Sequence, residues 1–282
     1  MYKTSEKEVY YHLHGGLEAT PILEMIGLPS YQDELTDYND ICQIIQEQTE
    51  KFTPDELESG TAARRQAGAI VYTPEQYLIT DQGKVMSQKP LFEMTQLESS
   101  SPPAAFDSDF TAPPMSKSQL LTGIKILDLS RVIAGPVISR TLAEYGATVL
   151  KITSPNLPDV PYYQVDGNFG KKTASLDLTL AADREIFEAL LDNGVDVIID
   201  GYRTGSLESL GYGVESLTKR FAGRGKGFVY VAENCFGFDG PLVQRTGWQP
   251  VADAACGMAW GQGKAMGLNE PVLPPFPMSD YG

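Results

Sequence analysis

The feature that most constrains the fold is an alternation of short apolar segments with helix-length segments after residue 120. Four apolar segments predict β-strands: Ile124–Leu129, Thr148–Ile152, Val195–Asp200 and Gly227–Ala232. Residues 136–145, 180–193 and 206–221 predict the intervening helices, with Pro136 suited to a first helical turn and Gly146 to a stop. Strands that alternate with helices form parallel sheets covered on both faces. The predicted fold class is therefore α/β, with a doubly wound parallel sheet.

A less regular region precedes this pattern and predicts a small α/β segment over residues 1–98. Its predicted elements are helices near 17–27, 38–51, 54–67 and 74–79, with a strand at Ala69–Tyr72. Residues 99–118 are rich in Ser, Pro and Ala and are typical of a linker. The predicted organisation is thus a small segment at 1–98, a linker at 99–118 and a larger domain at 119–282.

The charge and cysteine patterns exclude several classes of function. The net charge is −15, and residues 1–115 carry 19 acidic and 7 basic residues, so nucleic acid is not an expected partner. There is no apolar run of about 18 residues to span a membrane, and the charged N-terminus does not resemble a secretory signal. Three scattered cysteines fit a reducing compartment. We expect an intracellular protein without a membrane partner, with the cytoplasm favoured and mitochondria and peroxisomes left open.

No metal site or common cofactor motif is evident. His12 and His14 are the only histidines, lack a third ligand, and are expected on an exposed or edge strand. The sequence has neither GxGxxG nor GxxxxGK[ST]. Their absence argues against a generic α/β nucleotide binder of the dinucleotide-binding or P-loop type.

Three polar segments follow predicted strands, and each has an ordinary explanation as well. The turn Ser130–Pro136 has small residues ahead of a helix N-terminus and could admit an anion, but a plain βα turn looks the same. Lys171 and Lys172 could contact phosphates or form a solvated edge. Arg203 could hold a carboxylate or phosphate, or pair with Asp200.

Two further segments are candidates for chemistry. The glycine-rich run Asn234–Pro241 is typical of a mobile loop over a site, although such glycines are also common without function. Asp280 lies in a proline-lined apolar stretch, and low polarity would raise the basicity of its carboxylate and remove its water. That environment suits a carboxylate nucleophile, whereas a solvated turn is the alternative.

Together these segments resemble the class III CoA-transferases, the CaiB/BaiF family. The resemblance covers roughly residues 121–282 and is carried by the segments Gly123–Gly135, Leu142–Lys151, Lys171–Leu178, Val195–Gly213 and Phe236–Gly247. It implies a Rossmann-like large domain, a homodimer, acyl-CoA as substrate with no permanent cofactor, and a carboxylic acid as acceptor. Arg64–Glu75 resembles a segment found late in family members, in their smaller domain. The chain therefore resembles a truncated part of a fungal-type two-unit member.

The resemblance also implies roles for individual residues. Asp280 stands where the family has its catalytic aspartate, and would attack the acyl-CoA thioester to form a mixed anhydride. Gly237 and Gly240 would belong to a loop that shields the anhydride from water. The residues implied to line the CoA channel or approach its nucleotide are Val132, Ile133, Ala134, Lys151, Lys171, Tyr202 and Arg203.

Departures from the family pattern keep alternatives open. Ser154 and Ser209 stand where many members have arginines for the CoA phosphates, so phosphate contact would shift to Lys151, Lys171 or Arg203. One alternative is an acyl-CoA racemase of the same superfamily, but Trp248 replaces the histidine that such racemases use for proton transfer. Another is a non-catalytic CoA-binding or subunit fragment.

Overall fold

The computed structural model describes residues 1–97, 101–103 and 119–282 of the chain. Most of the predicted linker at 99–118 lies outside these residues. The chain divides into two compact units, which are described separately below. Unit 1 comprises Met1–Glu93, Cys235–Asp280 and Gly282, and unit 2 comprises Met94–Asn234 and Tyr281. In the described residues, no helix combines the length and apolar character needed to cross a bilayer.

The strands are numbered in chain order. They are β1 (Tyr2–Lys3), β2 (Tyr10–His14), β3 (Ala67–Val71), β4 (Lys125–Leu129), β5 (Thr148–Thr153), β6 (Lys172–Ser175), β7 (Val197–Asp200) and β8 (Val229–Ala232). The helices are α1 (Thr20–Met25), α2 (Tyr38–Thr49), α3 (Pro54–Ala63), α4 (Pro74–Ile79), α5 (Asp81–Met86), α6 (Ala134–Glu144), α7 (Pro161–Gly167), α8 (Ala181–Asp192), α9 (Ser206–Ser209), α10 (Val214–Arg220), α11 (Gln249–Ala255), α12 (Met258–Ala265) and α13 (Met278–Tyr281).

Unit 2 is built on a five-stranded parallel sheet in the order β6-β5-β4-β7-β8. Alternate residues of a strand point to opposite faces. On one face Ile126 and Ile199 pack with residues of α6, including Leu142. On the other face Leu127 and Ile198 belong to a cluster with residues of α8, α9 and α10. Helices therefore cover both faces, and the predicted α/β fold class is confirmed.

Three local differences separate the predicted from the observed elements of unit 2. The helix predicted over 206–221 is two helices, α9 and α10, because Gly211 lies between them with a φ of 89° that ends the first. The short helix α7 and the strand β6 were not predicted. The strand β6 is largely exposed and lies at the edge of the sheet, so it lacks the apolar alternation that marks a strand in a sequence.

Unit 1 is built on a three-stranded antiparallel sheet in the order β1-β2-β3. Tyr11 on one face packs with Ile26 and Leu57 beside helices α1 and α3. Ala69 on β3 belongs to a second cluster with Val251, so α11 contributes to the core of this unit. The structure thus groups residues 235–280 with the N-terminal segment. The predicted division into a segment at 1–98, a linker at 99–118 and a domain at 119–282 stays a prediction.

The histidines of β2 differ from expectation. The expected exposed or edge strand is wrong, because β2 is the middle strand of its sheet and the His12 side chain is only 6% exposed. Burial lowers the pKa of His12 to about 3, so this ring is neutral near physiological pH. The His14 ring stacks on Trp248 with 6.0 Å between the ring centroids.

Candidate active site

The carboxyl ends of β4 and β7 form a candidate site within unit 2. The two strands are neighbours, and the strand order reverses between them: β5 and β6 extend from β4 to one side, and β8 extends from β7 to the other. In open α/β sheets, ligands bind at the carboxyl ends of the strands at such a point. Ser130 follows β4 and is packed between Gly135 and Gly201. A methyl group on Gly135 would lie 2.5 Å from the Ser130 Cβ, and one on Gly201 would lie 2.7 Å from it. Glycine is therefore required at both positions for the backbones to approach.

The turn that holds Val132, Ile133 and Ala134 has a strained backbone. Val132 has a φ of 66°, a left-handed conformation that is a genuine outlier for a β-branched residue. Its N–H donates to the Asp159 carboxylate at 3.1 Å, which helps to hold the turn. Ile133 is buried, and Ala134 begins α6. Strain of this kind persists where the surroundings impose it and clusters at ligand sites.

Both lysines expected near the nucleotide are buried inside unit 2. The Lys171 Nζ lies 2.8 Å from an Asp128 carboxylate oxygen and donates to the Pro136 carbonyl at 2.8 Å. The Lys151 Nζ lies 3.7 Å from an Asp159 carboxylate oxygen. Lys171 therefore does not form the solvated edge that was its alternative explanation. Each ammonium group thus has an internal partner in the structure. A phosphate role for either lysine stays a prediction.

Asp128 is the centre of this buried network. It is 0% exposed and accepts hydrogen bonds from Ser130, from Ser139 at 2.5 Å and from Lys171. Burial lowers the pKa of Lys171, and the adjacent Asp128 carboxylate offsets part of that effect. The buried Asp128 carboxylate thus has a cation and two hydroxyl donors as partners at the end of β4, as a buried charge requires.

Tyr202 and Arg203 follow β7 at the same edge of the sheet. The Tyr202 N–H donates to Asp200 at 3.0 Å, and the Tyr230 hydroxyl donates to the other oxygen of Asp200 at 2.7 Å. Burial raises the pKa of Tyr202, and the nearby positive charge of Arg131 partly opposes that shift. Arg203 is exposed. The structure thus brings Tyr202 to the edge that also carries the strained turn after β4.

Unit 1 holds a separate candidate site around Asp280. This residue belongs to the short helix α13, and its N–H donates to the Pro277 carbonyl at 3.0 Å. It is partly buried. Burial, with a smaller contribution from the negative charge of Asp253, raises the pKa of Asp280 from 3.8 to about 6. The carboxylate is therefore more basic than an exposed aspartate and is still ionised at neutral pH.

Asp253 on α11 was not identified from the sequence. It is 1% exposed, and its two carboxylate oxygens accept hydrogen bonds from the Ser279 hydroxyl at 2.6 Å and from the Gln249 amide. Among the described residues, no lysine or arginine forms an ion pair with it. One signal could have revealed it: an acid inside the apolar run Val251–Ala255, four residues after a glutamine on the same helix.

Gly237 and Gly240 both lie against α5 in unit 1. Both have positive φ values, 79° and 91°, which favour glycine. A methyl group on Gly240 would come within 2.4 Å of the Gln82 side chain, and one on Gly237 within 2.7 Å of Met86. These contacts account for both glycines structurally, and their predicted catalytic role stays a prediction.

Gln82 ties this loop to α5. Its amide nitrogen donates to the carbonyls of Phe236 at 2.8 Å and Asp239 at 2.9 Å, and its amide oxygen accepts from the Leu242 N–H at 2.9 Å. The side chain is 2% exposed. The loop that the sequence predicts to be mobile is therefore hydrogen-bonded to α5 at two backbone positions, and the residue directly after it, Leu242, at a third.

The family model for CoA-transferase family III matches residues 121–282, more than half of the chain. The chain therefore belongs to CoA-transferase family III, and the predicted family is confirmed.

Curated relatives agree with this membership. An acetyl-coenzyme A transferase from Hypoxylon pulicicidum is 38% identical over 284 residues, which cover 100% of this chain and 47% of the relative. An acyl-CoA transferase from Gibberella moniliformis is 36% identical and covers 99% of this chain and 49% of its own length. The chain thus spans about half the length of these relatives. Both similarities extend through the N-terminal segment of this chain.

One solved structure supports the fold. A hypothetical protein from Mycobacterium tuberculosis superposes with a TM-score of 0.50 and 29% sequence identity, covering 58% of this chain and 47% of that one.

Proposed function

We propose that this protein transfers CoA from an acyl-CoA to a carboxylic acid, with Asp280 as the nucleophile. The observation that carries the proposal is a partly buried aspartate with a pKa near 6 inside the segment that matches the family. The relatives' names, which include acyl-CoA transferases and a human succinyl-CoA:glutarate CoA-transferase, support the reaction class.

The proposed reaction proceeds through covalent intermediates. An Asp280 carboxylate oxygen attacks the thioester carbonyl carbon, the C–S bond breaks, and CoA leaves as a thiolate with an acyl-aspartyl anhydride behind it. The thiolate then attacks the Asp280 carbonyl carbon, which forms an aspartyl-CoA thioester and releases the donor as a carboxylate. The acceptor carboxylate attacks this thioester and displaces the thiolate again. Attack of the thiolate on the acceptor's acyl carbon gives the new acyl-CoA and restores Asp280.

The electrostatics around Asp280 support this role. An aspartate with an ordinary pKa is a weak nucleophile because its carboxylate is well solvated. Partial burial removes some of that water, while a pKa near 6 leaves the group ionised at neutral pH. The carboxylate is thus mostly ionised at pH 7 and also more basic than an ordinary aspartate. A nucleophile that acts near pH 7 needs both properties.

The surroundings in unit 1 offer space for an acyl group. An open groove of about 410 Å³ is lined by Pro74, Met258, Gly261 and neighbouring residues. The sulfur of Met258 lies 4.0 Å from the Ser279 hydroxyl, so this groove adjoins the residue before Asp280. We assign the acyl chain of the donor to this groove, since its wall is largely apolar and Met adapts to varied shapes.

In unit 2 we assign CoA to the carboxyl ends of β4 and β7. The turn at Val132–Ala134 presents its backbone there, and Tyr202 and the exposed Arg203 follow β7 at the same edge. We assign the phosphate contact to Arg203 because its side chain is exposed at this edge, whereas those of Lys151 and Lys171 are buried. A homodimer, which the family resemblance implies, is part of this proposal.

The test is intact-mass spectrometry of the protein after incubation with a panel of acyl-CoA donors, with hydroxylamine as the trapping reagent. We expect a hydroxamate on the peptide that contains Asp280, absent from Asp280→Ala and unchanged in Asp33→Ala. Asp33 is an exposed aspartate of the same unit and serves as the matched control.

Failure to trap an adduct with any donor, while CoA binding is measurable by calorimetry, would contradict the transferase. Exchange of solvent deuterium into the α-carbon of an acyl-CoA would then identify a racemase. Binding without adduct or exchange would identify a non-catalytic CoA-binding protein.

A further inference from the structure

We infer that Asp253 is a positioning residue that sets the orientation of Asp280 through the Ser279 hydroxyl. This inference rests on the proposed function of Asp280. It concerns a buried carboxylate on α11 that does not belong to the motifs of the predicted site.

The first argument is the geometry of the hydrogen bonds. The Ser279 hydroxyl donates to one Asp253 oxygen at 2.6 Å, a short distance that is typical of a bond to an ionised acceptor. Ser279 directly precedes Asp280, so this bond fixes the backbone turn from which the nucleophile projects. The Gln249 amide donates to the other Asp253 oxygen and holds the carboxylate plane.

The second argument is the rigidity of the support. Asp253 lies between Val251 and Ala254, which are both 0% exposed, so α11 is anchored in the core of unit 1. The helix α13, by contrast, has four residues and no side-chain cap. A helix this short is marginal alone, so its orientation depends on contacts such as the one that joins Ser279 to Asp253.

The third argument is the charge of the supporting group. A neutral side chain could also accept the Ser279 hydrogen bond, and it would avoid the cost of burying a carboxylate without a cation. The Asp253 carboxylate adds a negative charge close to Asp280, which raises the pKa of Asp280 and so makes the nucleophile more basic. The arrangement thus supplies orientation through one oxygen and an electrostatic effect through the whole group.

The test compares three substitutions that separate these contributions. Ser279→Ala removes the hydrogen bond and keeps the charge. Asp253→Asn keeps an acceptor oxygen for Ser279 and removes the charge, while Asp253→Leu removes both at similar volume. Ser87→Ala is the matched control, since Ser87 is an exposed serine at the end of α5 whose hydroxyl donates to the Lys84 carbonyl and accepts from the adjacent Gln88 amide.

The readouts are the maximal rate of hydroxylamine-trapped adduct formation, the donor concentration at half that rate, and the unfolding midpoint. We expect Ser279→Ala to lower the maximal rate by about 10- to 100-fold, as small misplacements of reacting groups do. The half-saturating donor concentration should change less than about twofold, because the donor's binding contacts are intact. Ser279→Thr, which retains the hydroxyl, should restore most of the rate, and Ser87→Ala should change nothing.

Two results would overturn the inference. One is an unchanged maximal rate in both Ser279→Ala and Asp253→Leu, with wild-type protein forming the adduct normally. The other is a loss of rate that parallels a fall in the unfolding midpoint and that Ser279→Thr does not restore, which would make the contact merely structural. If the wild-type protein forms no adduct at all, the proposed function fails first and this inference fails with it.

Discussion

Asp128 in unit 2 and Asp253 in unit 1 are both buried carboxylates, 0% and 1% exposed, but their partners differ in charge. Asp128 accepts hydrogen bonds from two serine hydroxyls and lies 2.8 Å from the Lys171 ammonium group. Asp253 accepts hydrogen bonds from a hydroxyl and an amide, and no cation pairs with it in the described part of the chain.

Because of this difference, the charge of Asp128 is balanced by a partner, whereas the charge of Asp253 can shift the pKa of a neighbouring group. The field of Asp128 is neutralised by Lys171, so its network serves the stability of the β4 edge. The field of Asp253 is not neutralised and reaches Asp280, where it adds to the effect of burial on the pKa. A desolvated charge without a counterion costs stability, and such costs are tolerated where chemistry depends on them.

The largest expected effect comes from breaking the paired network. Lys171→Met removes the cation and leaves Asp128 buried without it, so we expect unit 2 to lose about 3 to 5 kcal/mol of unfolding free energy. Lys172→Met is the matched control, because Lys172 is exposed on the edge strand, and it should change stability by less than about 0.5 kcal/mol. The measurement is denaturant unfolding of both variants. Equal stabilities would show that Asp128 needs no cation and would remove the contrast with Asp253.

A smaller effect of opposite sign is expected at Asp280. Its pKa is raised in the folded protein, from 3.8 to about 6, so ionisation is harder in the folded than in the unfolded state. Stability that is present below pH 3.8 is therefore lost as the pH rises through 6. Asp280→Asn cannot ionise and should be more stable than wild type by about 1 to 2 kcal/mol at pH values above about 7, with the advantage shrinking toward about pH 4.

Denaturant unfolding across this pH range measures the effect, with Asp33→Asn as the control. An advantage of Asp280→Asn that is the same at every pH would show that ionisation of Asp280 is not the cause.

The smallest expected effect sharpens the role of Asp253. Wild-type adduct formation should rise with pH through about 6, because only ionised Asp280 attacks the donor. In Asp253→Asn the midpoint should move to lower pH by a few tenths of a unit to about one unit, since burial remains and is the larger cause of the shift. The pH profile of the trapped-adduct rate is the measurement. A midpoint that does not move would show that Asp253 acts on Asp280 through geometry alone.

Much of unit 2 could be predicted from the sequence because its signals are local. The four predicted strands correspond to β4, β5, β7 and β8, and the segment at 180–193 is the helix α8. The edge strand β6 and the helix α7 escaped prediction. A strand at the edge of a sheet need not alternate between apolar and polar residues, and α7 is short and largely exposed, with no apolar stripe.

Unit 1 was harder to predict because its core joins segments that are distant in the chain. The cluster of Ala69 with Val251 brings β3 together with α11, about 180 residues further on. Residues 1–98 alone show no sign of this partner. His12 is an example of what the sequence alone did not reveal. The sequence analysis placed His12 and His14 on an exposed or edge strand, whereas β2, which carries them, pairs with a strand on each side.

The sequence by itself determined the parallel sheet through its strand and helix periods, which are properties of adjacent residues. It indicated the family, and predicted the candidate nucleophile, through short motifs that resemble those of the family. Only the tertiary structure decided which side chains are paired and which are not. It placed Lys171 on Asp128, Gln82 on the glycine loop, and Asp253 beneath Ser279. The physical reason is that burial and electrostatic fields act over a few ångströms in space, and chain separations of 26 to 154 residues at such contacts leave no local trace in a sequence.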